Sequence, residues 1–401
     1  MAKRDDLPAL ARGILANSSG EPPPGRSLSQ SPAPPPAFPC KIGSVDSAPP
    51  LSATSPYGSD GFLLQLVKKA VAAGARDVHL KVGQPPGARV GDSLVFFKVA
   101  KIKDEDTLAA ARMLIREPEV LARLGDLGEY DTSATVPGVG RLRVNVYRQR
   151  GSLAIVMRIV PDKVPALADL GAPKACRRMA ELERGLVLCV GAAGSGKSTT
   201  LAAMIGHINQ NLSRHIVTIE DPIEYVHEDA RSSISQREIG HDTKSFANAL
   251  RSVLRQDPDV IQIGEIRDAE SMDIALKAAE TGHLVFSTLH TPDVTRTMNR
   301  ITALIPGSQE EIRERLGDAL QGIIAQRLVP RVDGRGMALA AEVLVGTGSV
   351  RETIKRPLGN PPLKELMETG AEMYGMQTFE MALRKLLNDG IIDRDAARLA
   401  G

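Results

Sequence analysis

Eight consecutive residues, Gly191-Ala192-Ala193-Gly194-Ser195-Gly196-Lys197-Ser198, have the types and the spacing of a phosphate-binding loop. They fit G-x-x-x-x-G-K-[ST], and the apolar run Gly185 to Val190 leads straight into them, as a buried strand should. Gly191, Gly194 and Gly196 let backbone N–H groups close on a polyphosphate with no Cβ in the way. A helix starting near Lys197 adds the positive end of its dipole. Lys197 is placed to reach β- and γ-phosphates, and the Ser198 hydroxyl to ligate Mg²⁺. Ser195 inside the loop and Thr199 just after it complete the candidate nucleotide-binding set. The ligands this pattern implies are a nucleoside polyphosphate and Mg²⁺.

Binding a nucleotide is not cleaving it. Hydrolysis needs one carboxylate near the γ-phosphate to position water and another to support the metal. Two acidic clusters lie downstream. Thr218-Ile219-Glu220-Asp221-Pro222-Ile223-Glu224-Tyr225 ends an expected strand, so its acids emerge at the carboxyl edge of a sheet, where ligands bind in such folds. Val260-Ile261-Gln262-Ile263-Gly264-Glu265 is a second strand ending in an acid, of the Walker B kind, with Gly264 where an Asp is common. Glu265 there would face Mg²⁺ through water. Two histidines flank a later apolar run, His283 to His290. His290 falls at the carboxyl end and could sense the γ-phosphate or couple subunits, whereas His283 starts the run at the far edge. Their spacing does not suggest a metal pair.

The elements that position these groups can be read from periodicity. Strands are expected at 185–190, 215–220, 259–263 and 284–289, and helices at 197–210, 244–255 and 268–281. Such alternation implies an α/β fold with a parallel sheet covered on both faces. The segment 309–329 places Ile312, Leu316, Leu320, Ile323, Ile324 and Leu328 on one helical face. Upstream, Phe62 to Val71 has helical spacing, Asp77 to Val82 alternates like a strand, and Arg141–Tyr147 with Leu153–Val160 reads as a hairpin. This is a small α+β domain over 58–162, with order beginning near Gly61, followed by a hinge-like linker at 163–184. After residue 346 the chain turns helical and charged.

Composition narrows the class. The 401 residues are 42% hydrophobic and 24% charged, with a net charge of +2. That balance gives no strong field for nucleic acid, and only 3% aromatics leaves little for base stacking. No apolar run approaches a membrane span, and no hydrophobic region follows Lys3 and Arg4, so a cytoplasmic protein without direct membrane insertion is expected. Three scattered cysteines make neither a disulfide frame nor a zinc site. Residues 1–57 hold 12 of the 27 prolines and read as a disordered tail.

Taken together, these motifs resemble the secretion and pilus ATPases, and most of all the PilT group of type IV pilus retraction motors. Glu220–His227 is similar to that family's aspartate box, Ile263–Asp268 to its atypical Walker B and Thr281–Thr291 to its histidine box. Leu254–Asp259, Gln321–Leu328 and Gly375–Phe379 extend the likeness, which runs from about residue 61 to the end. The resemblance implies a homohexamer whose subunits carry a PAS-like N-terminal domain (58–162), a RecA-like core (185–345) and a helical C-terminal region (346–401), with ATP held between the first two. It makes Glu224 the catalytic glutamate that handles the attacking water, Glu265 the Walker B acid and Glu220 their support. It brings Arg143 and Arg158 toward the phosphates as arginine fingers. The implied work is pilin disassembly and twitching motility, through an inner-membrane platform protein at the pilus base. Extension motors usually carry a tetracysteine zinc element, which three cysteines cannot build. The retraction motors' Ala-Ile-Arg-Asn-Leu-Ile motif reads Ser349-Val350-Arg351-Glu352-Thr353-Ile354 here. That departure leaves open an accessory paralogue with weak hydrolysis; an extension or secretion ATPase is the other alternative, and near-neutral charge disfavours a nucleic-acid motor.

Overall fold

The structure, a computed structural model, describes residues 55–401 apart from 92, 161–162 and 335. The Pro-rich tail expected over 1–57 therefore lies, up to residue 54, outside the described residues. Order begins before Gly61. Pro56–Gly58 form a 3-10 turn, and Tyr57, only 4% exposed, meets Phe62 edge-on with ring centroids 4.8 Å apart. A buried aromatic anchors the turn, so the described part of the domain includes residues from 55 onward.

The N-terminal domain runs α1 (Asp60–Ala72), β1 (Ala75–Lys81), β2 (Gly87–Val90), β3 (Ser93–Phe96), α2 (Asp104–Leu114), α3 (Pro118–Ala122), β4 (Glu129–Val136), β5 (Gly140–Gln149) and β6 (Ser152–Ile159). Its six strands make one antiparallel sheet in the order β3-β2-β1-β6-β5-β4. The period-2 rule is plain in β5: Leu142, Val144 and Val146 are buried, while Arg141, Arg143 and Asn145 alternate on the opposite face. That polar face is the one that meets the core.

The second half of the expected linker is no linker. Residues 174–180 form α4 (Lys174–Ala180), and Ala175, Cys176, Met179 and Ala180 are buried in the core. The core then runs β7 (Gly185–Val190), α5 (Lys197–Asn211), β8 (His215–Glu220), β9 (Ser233–Glu238), α6 (Phe246–Val253), β10 (Val260–Ile263), α7 (Ala269–Glu280), β11 (Leu284–Leu289), α8 (Val294–Leu304), α9 (Gln309–Ala319), β12 (Leu320–Pro330) and β13 (Met337–Val345). Its sheet has the order β13-β12-β7-β11-β10-β8-β9, parallel throughout except for the β12–β13 hairpin. Both faces are covered. Leu186, Leu188 and Val190 of β7 point into one apolar layer, and Val187 and Cys189 into the other. Each fully buried Leu contributes roughly 1.5–3 kcal/mol, which explains why a six-residue run reads so clearly as a central strand.

One sequence expectation is overturned. The stretch 309–329 is not a single helix: it stops at Ala319 and continues as strand β12. From Leu320 onward the apolar residues are buried on both faces of a sheet, which removes the advantage of a one-sided helical stripe. Gly322 lets Met179 of α4 come close, since a Cβ at that position would lie 2.3 Å from the Met179 methyl. The C-terminal helices α10 (Gly348–Lys355), α11 (Leu363–Thr369), α12 (Ala371–Tyr374), α13 (Phe379–Asn388) and α14 (Arg394–Ala400) complete the fold. Val350, Ile354, Met367, Phe379 and Leu383 join one of the two core layers, so this region is packed onto the core.

Candidate active site

The loop between β7 and α5 has the backbone that a phosphate cradle requires. Gly191, Gly194 and Gly196 have φ of 148°, 76° and 88°, in the region that glycine tolerates best. At Gly191 a Cβ would lie 2.4 Å from Ser195 Oγ and 2.6 Å from the Gln326 carbonyl oxygen. Gly194 is open on that side, with nothing within 4 Å. Left-handed residues at this spacing can turn N–H groups inward to form an anion nest; here the Gly191 and Ser195 N–H groups donate to the carbonyl oxygens of Leu289 (3.3 Å) and Ala192 (3.2 Å). Ser195 Oγ is buried and has no hydrogen-bond partner among the described residues. Lys197 donates to the carbonyl oxygens of Gly191 (3.0 Å) and Ala192 (2.9 Å), so two of its three donors span the loop. Burial pushes its ammonium below the ordinary lysine range, while the negative charge of Glu265 works the other way. Gln326 braces the base of the loop, donating to Thr200 Oγ1 at 2.7 Å and accepting from the Cys189 thiol at 3.0 Å. Cys189 is a small core residue, as its place in the strand suggested.

The acids arrive from the neighbouring strands. Glu220 closes β8 at 6% exposure. Its Oε1 accepts from Thr218 Oγ1 (2.7 Å) and Gln236 Nε2 (3.1 Å), and its Oε2 from the Glu224 amide (3.3 Å). Burial raises its carboxyl above the usual range, and those hydrogen bonds partly offset the shift. Glu265 follows β10; its Oε2 lies 3.0 Å from His290 Nε2, and its other oxygen pairs with Arg267. His290 extends from the carboxyl end of β11, while His283 lies at the opposite edge and meets the Ala278 carbonyl oxygen at 3.0 Å. Thr199 Oγ1 is 3.1 Å from the Tyr225 hydroxyl. Burial lowers His227 to about 4, so it is neutral near pH 7.

One cleft of about 300 Å³ is lined by Gly194, Lys197, Ser198, Glu220, Glu224, Glu265 and His290 among others; Gly191, Ser195, Gly196, Thr199 and His283 are not in its lining. The expected arginines are not in it. Arg143 donates to Glu224 Oε1 at 2.7 Å, and Arg158 to Asp77 Oδ1 at 2.7 Å. Both line a second cleft between the N-terminal sheet and the core, which shares Asp221, Pro222 and Arg267 with the first. Sequence reasoning passed over Gln236 and Glu238 because β9, Ser-Ile-Ser-Gln-Arg-Glu, has one apolar residue in six and no strand signal.

The residues present fit a nucleotide with Mg²⁺: a glycine nest, a lysine, a hydroxyl at Ser198 and one carboxylate, Glu265, in the same cleft. Among the described residues no group of three His, Cys, Asp or Glu is placed to hold a metal, and magnesium is commonly held by one or two carboxylates together with substrate phosphates.

Fold and site together define a P-loop ATPase with a RecA-like core and an added N-terminal domain. The type II/IV secretion system protein family matches residues 62–362, and the chain belongs to that family. It is similar to the type IV pilus retraction ATPase PilT of Pseudomonas aeruginosa, at 39% identity over 84% of this chain and 97% of that protein. A twitching motility protein of Neisseria gonorrhoeae is 46% identical over 67% of this chain and 72% of the relative. A crystal structure of the pilus retraction motor PilT with bound ADP superposes with a TM-score of 0.78 at 43% identity, covering 84% of this chain and 96% of that one. Among the described residues no helix is long and apolar enough to cross a membrane.

Proposed function

We propose that this chain hydrolyses ATP to power retraction of type IV pili, working as a homohexamer. The observation that carries this reading is the convergence of Lys197, Glu220, Glu224, Glu265 and His290 on one cleft beside the glycine nest. The relatives named for pilus retraction and twitching support the biological half. In this scheme the nest and Lys197 hold the phosphates. Ser198 and Glu265 would hold Mg²⁺, which would supply charge neutralisation at the phosphate oxygens. Glu224, on the exposed loop after β8, orients the attacking water and takes its proton. Glu220 is too buried and too fully bonded for that task and instead fixes the Glu224 amide. His290 is held by Glu265 at the phosphate end of the cleft. Coupling to an inner-membrane platform protein at the pilus base would place the ring on the cytoplasmic face of that membrane.

The test is direct. Purified protein should show Mg²⁺-dependent ATPase activity that falls by roughly 10²-fold or more in Lys197→Ala and in Glu224→Gln. Full activity in both variants would sink the reading. In cells whose only copy carries Lys197→Ala, surface pili should accumulate and twitching should stop. Bald cells would indicate an extension motor, and an unchanged pilus count the accessory role that the altered Ser349–Ile354 segment leaves open.

A further inference from the structure

We propose that Gln236, on edge strand β9, is the positioning residue of the hydrolytic segment Glu220–His227. This rests on the reading that the segment carries the acids of ATP cleavage. Its amide nitrogen donates to Glu220 Oε1 at 3.1 Å and to the Tyr225 carbonyl oxygen at 2.8 Å. Its oxygen accepts from the His227 amide at 2.8 Å. One side chain thus fixes the segment at three points that bracket Glu224. Only a carboxamide can do this: a carboxylate has no donor and an ammonium no acceptor. The parallel register sets Gln236 opposite Thr218, whose hydroxyl donates to the same Glu220 oxygen.

A surface amide that merely decorates a sheet would be solvated. All the bonds recorded for the Gln236 amide group go instead to one eight-residue segment. Two residues along, Glu238 Oε2 accepts the Ile223 amide at 3.0 Å, so β9 grips the segment a second time. The far side is tied to helix α5 through the contact between Tyr225 and Thr199. Backbone positions on both sides of Glu224 are therefore set from β9, and the place its carboxylate can reach is set with them. Gln236 is absent from the lining of the cleft, so its effect must pass through the segment.

Two variants test this in the full-length protein. Gln236→Met keeps the length of the side chain and removes all three bonds. Gln236→Glu keeps the acceptor for His227 and removes the donor, and it reports should the first variant fold poorly. The readouts are kcat and KM for ATP, affinity for a fluorescent ATP analogue, and thermal melting. Because small misplacements of a reacting group cost roughly 10²-fold, kcat should fall by about 10–100-fold in both variants. KM and analogue affinity should stay within about threefold of the starting protein. Unchanged kcat in both variants, alongside a dead Lys197→Ala control, would overturn the positioning role and leave the ATPase reading standing. A parallel loss of affinity and turnover would also overturn it, since that pattern marks general damage to the fold. An active Lys197→Ala control would overturn both.

Discussion

At the scale of single residues, two carboxylates four positions apart have opposite surroundings, and the proposed function gives them different roles on that ground. Glu220 is 6% exposed and accepts three hydrogen bonds; Glu224 stands on an exposed turn with its carboxylate against Arg143. In the proposed mechanism the first holds position and the second moves a proton. Spacing alone marked both acids but did not rank them, since the ranking depends on partners from β9 and the N-terminal sheet. The glycine loop shows the converse, because its geometry is local and its positive-φ glycines stand where the motif places them. Gly191 cannot accept a Cβ, which would meet Ser195 Oγ and the Gln326 carbonyl oxygen at 2.4 and 2.6 Å. Gly191→Ala is expected to weaken ATP-analogue binding by at least about tenfold and to lower stability by more than ~1 kcal/mol. Titration with the analogue and urea unfolding measure the two effects separately, and wild-type values in both would refute the steric argument.

At the scale of elements, legibility followed burial pattern. The strands β7, β8 and β11 start and end where their apolar runs do, because every residue between is buried or nearly so. Strand β9 was invisible for the opposite reason: it is an edge strand whose side chains hold a loop rather than a core. Strand β12 was mistaken for the end of a helix because Leu320, Ile323, Ile324 and Leu328 also fit a 3.6-residue period, and a short apolar run cannot tell the two apart. It pairs with β7 and β13 and packs against α4, whose Met179 fills the notch that Gly322 leaves. Met179→Ala should open a cavity there and cost about 2–5 kcal/mol in urea unfolding. Unchanged stability would mean that α4 is the loose linker its sequence suggested.

At the scale of the whole molecule, two arginines on adjacent outward positions of β5 join the N-terminal domain to the core, and they differ in weight. Arg143 meets Glu224 with side chains 31% and 46% exposed; Arg141 meets Glu238 at 2.6 Å with the acid only 3% exposed. Exposed pairs contribute about 0–1 kcal/mol, whereas removing one partner of a buried pair costs about 3–5 kcal/mol. Arg141→Ala should therefore lower the unfolding free energy by roughly 3 kcal/mol, while Arg143→Ala should leave it within ~1 kcal/mol. Equal effects on urea unfolding would show that the burial difference carries no energy. Neither pair could be read from the sequence, since the partners lie 97 and 81 positions apart. Glu238 accepts the Arg141 guanidinium and the Ile223 amide on the same oxygen. A pull between the domains would reach the segment that carries Glu220 and Glu224 through that one oxygen. If Glu224 handles the attacking water as proposed, that shared oxygen would make cleavage sensitive to load on the ring.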